Sequence, residues 1–168
     1  MVRQHQDSIN YAFDKAGNIT QMQSSSITEN YTYDALNRLS TVSESNSGTA
    51  KYAYDNVGNL QSVTYANGVV HNYSYDARNR LTNLGVTGNS STPGQPAVPG
   101  NIVGYAYTLD ASGHRTSVTE ASGRAMNYGY DPSTSLRAGN LYRLTSETIA
   151  GDAHNMNGAV SYGYGAGR

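Results

Sequence analysis

Tyr31-Thr32-Tyr33-Asp34-Ala35-Leu36-Asn37-Arg38-Leu39 decides the fold. Two tyrosines separated by one small residue follow the period of two that puts both rings on one face of a strand. Asp34 suits the first position of a type I turn, where its carboxylate accepts from backbone N–H groups further on. Asn37, three residues later, is a residue type that tolerates the left-handed backbone region. A type I turn closed by one left-handed residue makes a three-residue hairpin loop with a bulge. The nonapeptide therefore predicts strand, turn and returning strand, with Tyr33 near Leu39 across the ladder.

Working outward, the same nine positions recur. Tyr11, Phe13, Asp14 and Gly17 lead to Ile19; Tyr52, Tyr54, Asp55 and Gly58 lead to Leu60; Tyr73, Tyr75, Asp76 and Asn79 lead to Leu81. The residue between the two aromatics is always small (Ala12, Thr32, Ala53, Ser74). The first tyrosines stand 20 or 21 residues apart. A fixed period of this length marks a repeat architecture.

Two later copies depart from the pattern. Tyr105 and Tyr107 are followed by Thr108 and Leu109 before Asp110 and Gly113, which reads as a fifth repeat with extra residues. Tyr128, Tyr130 and Asp131 open a sixth, interrupted by residues 132–139 and resumed at Asn140-Leu141-Tyr142-Arg143-Leu144. Those residues are expected to be an insertion at the hairpin tip, where insertions are tolerated. A seventh copy opens at Tyr162-Gly163-Tyr164.

The links between copies are also expected to be turns. Ala66-Asn67-Gly68-Val69 carries Asn-Gly, the strongest two-residue hairpin signal. Residues 85–101 hold Pro93, Pro96 and Pro99 among glycines and serines, and read as a long exposed loop without structure of its own. Val42, Val63 and Val118 fall three residues after the Leu-type position, which predicts a bulge or apolar groups on both faces.

Composition limits the function. The 168 residues include 15 Tyr, one Phe, no Trp and no Cys, with 11 basic and 12 acidic side chains and a net charge of −1. So even a balance gives no electrostatic footprint for nucleic acid and no reason to sit on an acidic membrane. The absence of cysteine excludes disulfides and thiolate metal sites. The polar start, residues 1–10, does not read as a signal peptide. Leu, Ile, Val and Phe together are roughly 15% of the chain, so Tyr has to supply much of the buried apolar area.

No catalytic, cofactor-binding or metal-binding residues are expected. His5, His71, His114 and His154 lack metal-ligand spacing. One Asp per turn fits a turn cap better than a calcium ligand. Glu29, Glu44, Glu120 and Glu147 form no acid pair suited to glycoside chemistry. Nor does a nucleophile elbow or a phosphate loop occur.

The Tyr-Asp pairs Tyr33-Asp34, Tyr54-Asp55, Tyr75-Asp76 and Tyr130-Asp131 resemble those of the Rhs or YD-repeat family, and the resemblance runs from about Tyr11 to Arg168. That family includes bacterial Rhs polymorphic toxins, shell subunits of insecticidal toxin complexes and animal teneurins. The resemblance implies an all-β chain of tandem hairpins forming a continuous, twisted or curved antiparallel sheet, a segment of a spiral β-shell. It implies a structural role without enzymatic activity, in a wall that encloses a toxin or effector domain. Its partners would be the rest of a longer shell, or other copies joined through sheet edges. The parent protein would be bacterial and secreted or displayed at the cell surface. The alternative reading is a carbohydrate-binding or adhesive module that uses exposed tyrosine rows.

Overall fold

The computed structural model describes residues 8–90, 98–131, 143–152, 154 and 156–164. Among these there is no helix. Thirteen strands follow one another in a single sheet in chain order. They are β1 (Asn10–Phe13), β2 (Ile19–Gln23), β3 (Thr28–Tyr33), β4 (Leu39–Glu44), β5 (Gly48–Tyr54), β6 (Leu60–Thr64) and β7 (Val70–Tyr75), then β8 (Leu81–Ser90), β9 (Val98–Leu109), β10 (Arg115–Glu120), β11 (Ala125–Tyr130), β12 (Leu144–Ala150) and β13 (Gly158–Ser161). Residues 1–72 with 87–100 make one compact unit, and residues 73–86 with 101–168 make a second.

The register within each hairpin explains the valine spacing. Tyr31 lies opposite Val42 and Thr32 opposite Thr41, but Tyr33 lies opposite Leu39, so Ser40 is an extra residue on the return strand. Thr20, Gln61, Thr116 and Thr145 are extra in the same way. A bulge of this kind turns one step of the alternation. Leu39 and Val42, an odd number apart, thereby reach the same face as the tyrosines. Val63 and Val118, opposite Tyr52 and Tyr107, are the most buried apolar side chains described, at 4% and 3% exposure. Most of the described side chains of the sheet remain half-buried or exposed.

Three expectations are corrected. The first concerns repeat five. Tyr107 is paired with Val118 and Leu109 with Arg115, as Tyr52 is with Val63 and Tyr54 with Leu60. The repeat therefore begins at Tyr107, Leu109 takes the second aromatic position, and Tyr105 belongs to the preceding stretch of strand. The turn itself is of normal length; Tyr105, Tyr107 and Leu109 stand in one phase, and two tyrosines in a row imitate the pair that opens the other repeats.

The second concerns residues 85–101. Strand β8 runs on to Ser90 and β9 starts at Val98, so only residues 91–97 lie outside the described residues. Val86, Thr87, Ile102 and Val103 are β-branched, and they favour strand over loop. Pro99 stands near the start of β9, a strand position that proline tolerates.

The third concerns Asn67-Gly68. A two-residue type I′ turn needs positive φ at both residues, but only Gly68 has it, at 82°. The Tyr65 N–H donates to the Val69 carbonyl and the Gly68 N–H to the Tyr65 carbonyl, which reproduces the three-residue loop of the Asp turns with Tyr65 in the place of Asp. Glu120 takes that place in the turn closed by Gly123.

Candidate functional site

Each Asp turn is closed by its own donors. Asp34 Oδ1 accepts from the N–H groups of Leu36 and Arg38, both at 2.9 Å, and Oδ2 accepts from Arg38 Nε at 2.8 Å. The backbone completes the loop: the Asp34 N–H donates to the Arg38 carbonyl, and the Asn37 N–H to the Asp34 carbonyl. Asp14, Asp55 and Asp76 repeat this arrangement with Asn18, Asn59 and Arg80, and Asp110 with His114. The seventh residue has positive φ in each copy: Gly17 (89°), Asn37 (63°), Gly58 (100°), Asn79 (59°) and Gly113 (97°). These donors hold the carboxyl of each of these aspartates below the usual range. For Asp34 and Asp76 the N–H of the fourth residue on is the largest influence, and for Asp14 it is the Asn18 side chain. For Asp55 and Asp110, burial pushes upward most strongly, but the combined hydrogen bonds outweigh it.

In the sixth turn the Asp131 N–H donates to the Arg143 carbonyl at 2.9 Å. Asp34 makes the same bond four residues along, and Asp131 makes it twelve along, so the ladder resumes eight residues late. The expected insertion itself, residues 132–139, lies outside the described residues.

The tyrosines connect one hairpin to the next. The ladder between repeats stops short of the Asp turns: β2 and β3 pair only as far as Gln21 and Asn30, and β4 and β5 only as far as Thr41 and Lys51. Beyond that point a hydroxyl bridges the gap. Tyr33 Oη donates to the Ile19 carbonyl and Tyr54 Oη to the Leu39 carbonyl, both at 2.9 Å. Tyr130 Oη reaches the Arg115 carbonyl at 2.9 Å, and Tyr164 Oη the Leu144 carbonyl at 2.7 Å. In each case the second aromatic of one repeat clasps the first return-strand residue of the repeat before it.

The eighth residue of the earlier repeat packs on the same ring. The Arg38 guanidinium lies 4.4 Å from the centre of the Tyr54 ring and that of Arg143 lies 5.2 Å from Tyr164. The His114 ring lies 5.2 Å from Tyr130. Asn18 and Asn37 instead join adjacent turns directly through their amides, at 2.6 and 3.3 Å.

Other marked positions behave differently. The hydroxyl of Tyr31 donates to Glu29, a bond that pushes the phenol up to about 12. Tyr52 faces Val63, and Tyr128 lies opposite Glu147 with its hydroxyl 3.9 Å from Met126 Sδ. Tyr105 and Tyr107 stack at 6.4 Å. Tyr73 and Tyr75 are half-buried on β7, whereas Tyr11 and Phe13 are exposed on β1, at 49% and 60%. Sequence reasoning marked the tyrosines but missed their acceptors, since a backbone carbonyl has no residue type. The one available sign was the eighth position, always Asn, Arg or His and so always a donor.

A teneurin YD-shell family model matches residues 2–91. The fold is similar to that in a crystal structure of TcdB2-TccC3-Cdc42, with a TM-score of 0.65 and 17% identity over 84% of this chain and 7% of that one. It is also similar to TcdB2-TccC3, with a TM-score of 0.56 and 13% identity over 92% of this chain and 10% of that one. The Photorhabdus luminescens Tc holotoxin pore gives 0.56 and 12% over 91% and 9%. At these identities the likeness is one of fold, and the chain spans no more than 10% of those chains. No curated protein matches.

Proposed function

The chain belongs to the teneurin YD-shell family, and from that premise we propose that it is a non-catalytic length of shell wall, part of an enclosure around a toxin or effector domain. The tyrosine clasp carries this reading. Val63 and Val118 are the only buried apolar side chains among the described residues, so the rigidity of such a wall has to come from links between adjacent hairpins. The bonds from Tyr33, Tyr54, Tyr130 and Tyr164 supply such links at four of the junctions. In a repeat array, stability is close to a sum of unit and nearest-neighbour contributions, so each clasp strengthens the wall locally. The hydroxyls are spent on backbone carbonyls, which favours a wall over a sugar-binding face.

The test uses the gene product that contains this chain, by electron microscopy and protease protection. A hollow particle that shields an internal domain from protease is expected. An extended particle with every domain equally cleaved would overturn the enclosure. Glycan binding that survives Tyr-to-Phe changes at the clasps, without any shell, would favour an adhesive module.

A further inference from the structure

The junction between repeats four and five cannot use the clasp. Leu109 occupies the second aromatic position there and has no hydroxyl to donate. Two arginines of the fourth turn reach across instead. Arg80 Nη1 donates to the Asp110 carbonyl and Arg78 Nη1 to the Ala111 carbonyl, both at 2.7 Å. We infer that Arg80 and Arg78 form a guanidinium clamp that replaces the tyrosine clasp and specifies which hairpin docks on repeat four.

The chemistry of the eighth position supports this assignment. Arg38 and Arg80 both hold the Asp of their own turn through Nε, at 2.8 and 2.7 Å. Arg38 then lays its guanidinium over the ring of Tyr54. Arg80 meets no such ring, because the next repeat offers Leu109, and the rest of its fork turns to the carbonyls of the fifth turn. Arginine has five donors in a rigid plane, enough to serve a carboxylate and a neighbouring carbonyl at once, which a lysine ammonium does with poorer geometry. The arginine runs close beside that turn: a Cβ added at Gly113 would stand 3.8 Å from Arg80 Nη1 and 4.0 Å from Arg80 Cδ. Where the eighth residue is arginine or histidine, its contact thus follows the third residue of the next repeat: the ring where tyrosine stands, backbone carbonyls where leucine stands. Near-identical tandem hairpins are prone to pairing with the wrong neighbour, and junctions that differ in chemistry discriminate among them. This deepens the wall reading but rests on the hairpin register; a wall that encloses nothing would leave it standing.

The test is amide hydrogen exchange on the full chain. Arg80→Asn keeps the fourth turn, since asparagine caps the equivalent Asp at Asn18 and Asn59, but removes the reach to repeat five. Exchange at the Asp110 and Gly113 amides is expected to quicken about tenfold, with the Asp34 and Asn37 amides unchanged. Adding Leu109→Tyr, which offers a hydroxyl on the side of Leu81, is expected to restore protection in the Arg80→Asn background and to add little when Arg80 is present. Arg78→Ala gives a milder form of the same local pattern. Exchange at the fifth turn unaltered by Arg80→Asn, equal protection from Leu109→Tyr in both backgrounds, or a uniform loss across the second and fifth turns in both arginine variants would overturn the clamp.

Discussion

The hydroxyl of Tyr54 lies 2.9 Å from the carbonyl oxygen of Leu39, in the hairpin before its own, at the place where the ladder between the two hairpins has already ended at Thr41 and Lys51. The phenol therefore performs the task of a backbone N–H, and a ring without the oxygen cannot. Phe13, the one phenylalanine in the aromatic positions, sits exposed on β1.

Tyr54→Phe removes the clasp and keeps the ring under Arg38. The expected cost is about 1 kcal/mol, the net worth of one intramolecular hydrogen bond. Chemical denaturation followed by circular dichroism checks the size, and exchange at the Lys51 amide checks the place. The same change at Tyr130 is expected to have a similar effect in the second unit, on Asn127. A loss no greater than that from Tyr11→Phe, whose ring is half exposed on β1, would show that the hydroxyl contributes nothing.

Gly58 has φ of 100° with open space around its absent Cβ, so any cost of substitution comes from the backbone alone. Gly58→Ala is expected to destabilise by about 1–2 kcal/mol. Gly58→Asn is expected to cost distinctly less, because Asn37 and Asn79 hold the equivalent conformation at 63° and 59°. Thermal melts of the two variants side by side test the order, and equal losses would count against the turn assignment.

Acid should loosen the array turn by turn. Asp14, Asp34, Asp55, Asp76, Asp110 and Asp152 all have carboxyls below the ordinary range in the folded chain, mainly through hydrogen bonds from their own turns. A depressed folded value means that the stabilisation is present above the unfolded value of about 4 and is lost as pH falls through the folded value. Melting temperature is therefore expected to be steady from neutrality to about pH 5 and to drop below about pH 4. Asp34→Asn together with Asp76→Asn should flatten that drop. Tyr31 has the opposite sign: its phenol is raised by the bond to Glu29, so its contribution is present below about pH 10 and is lost toward about 12.

Strand β13 is exposed along its whole length, with Val160 at 51%. Unpaired strand edges recruit other strands. The isolated chain is expected to associate with rising concentration in sedimentation velocity, and Val160→Lys is expected to reduce that association. A single monomeric species at all concentrations would refute it.

The sequence by itself determined the hairpin. Every element of the turn acts within four residues: Asp34 caps Leu36 and Arg38, and Asn37 takes the left-handed conformation that its side chain tolerates. Interactions this local leave a mark in residue type and spacing, so the copies at Asp14, Asp55 and Asp76 were legible too. Tertiary structure alone decided the rest. The start of repeat five at Tyr107 depends on which residue faces Val118, and three tyrosine-phase positions in a row satisfy the pattern equally well. The extension of β8 and β9 into residues 85–101 depends on a partner strand, which composition does not reveal. The clasps and the arginine clamp join residues 14 to 33 apart, and their acceptors are backbone carbonyls common to every residue. Such acceptors have no sequence signature, so only the folded register could show which carbonyl meets which donor.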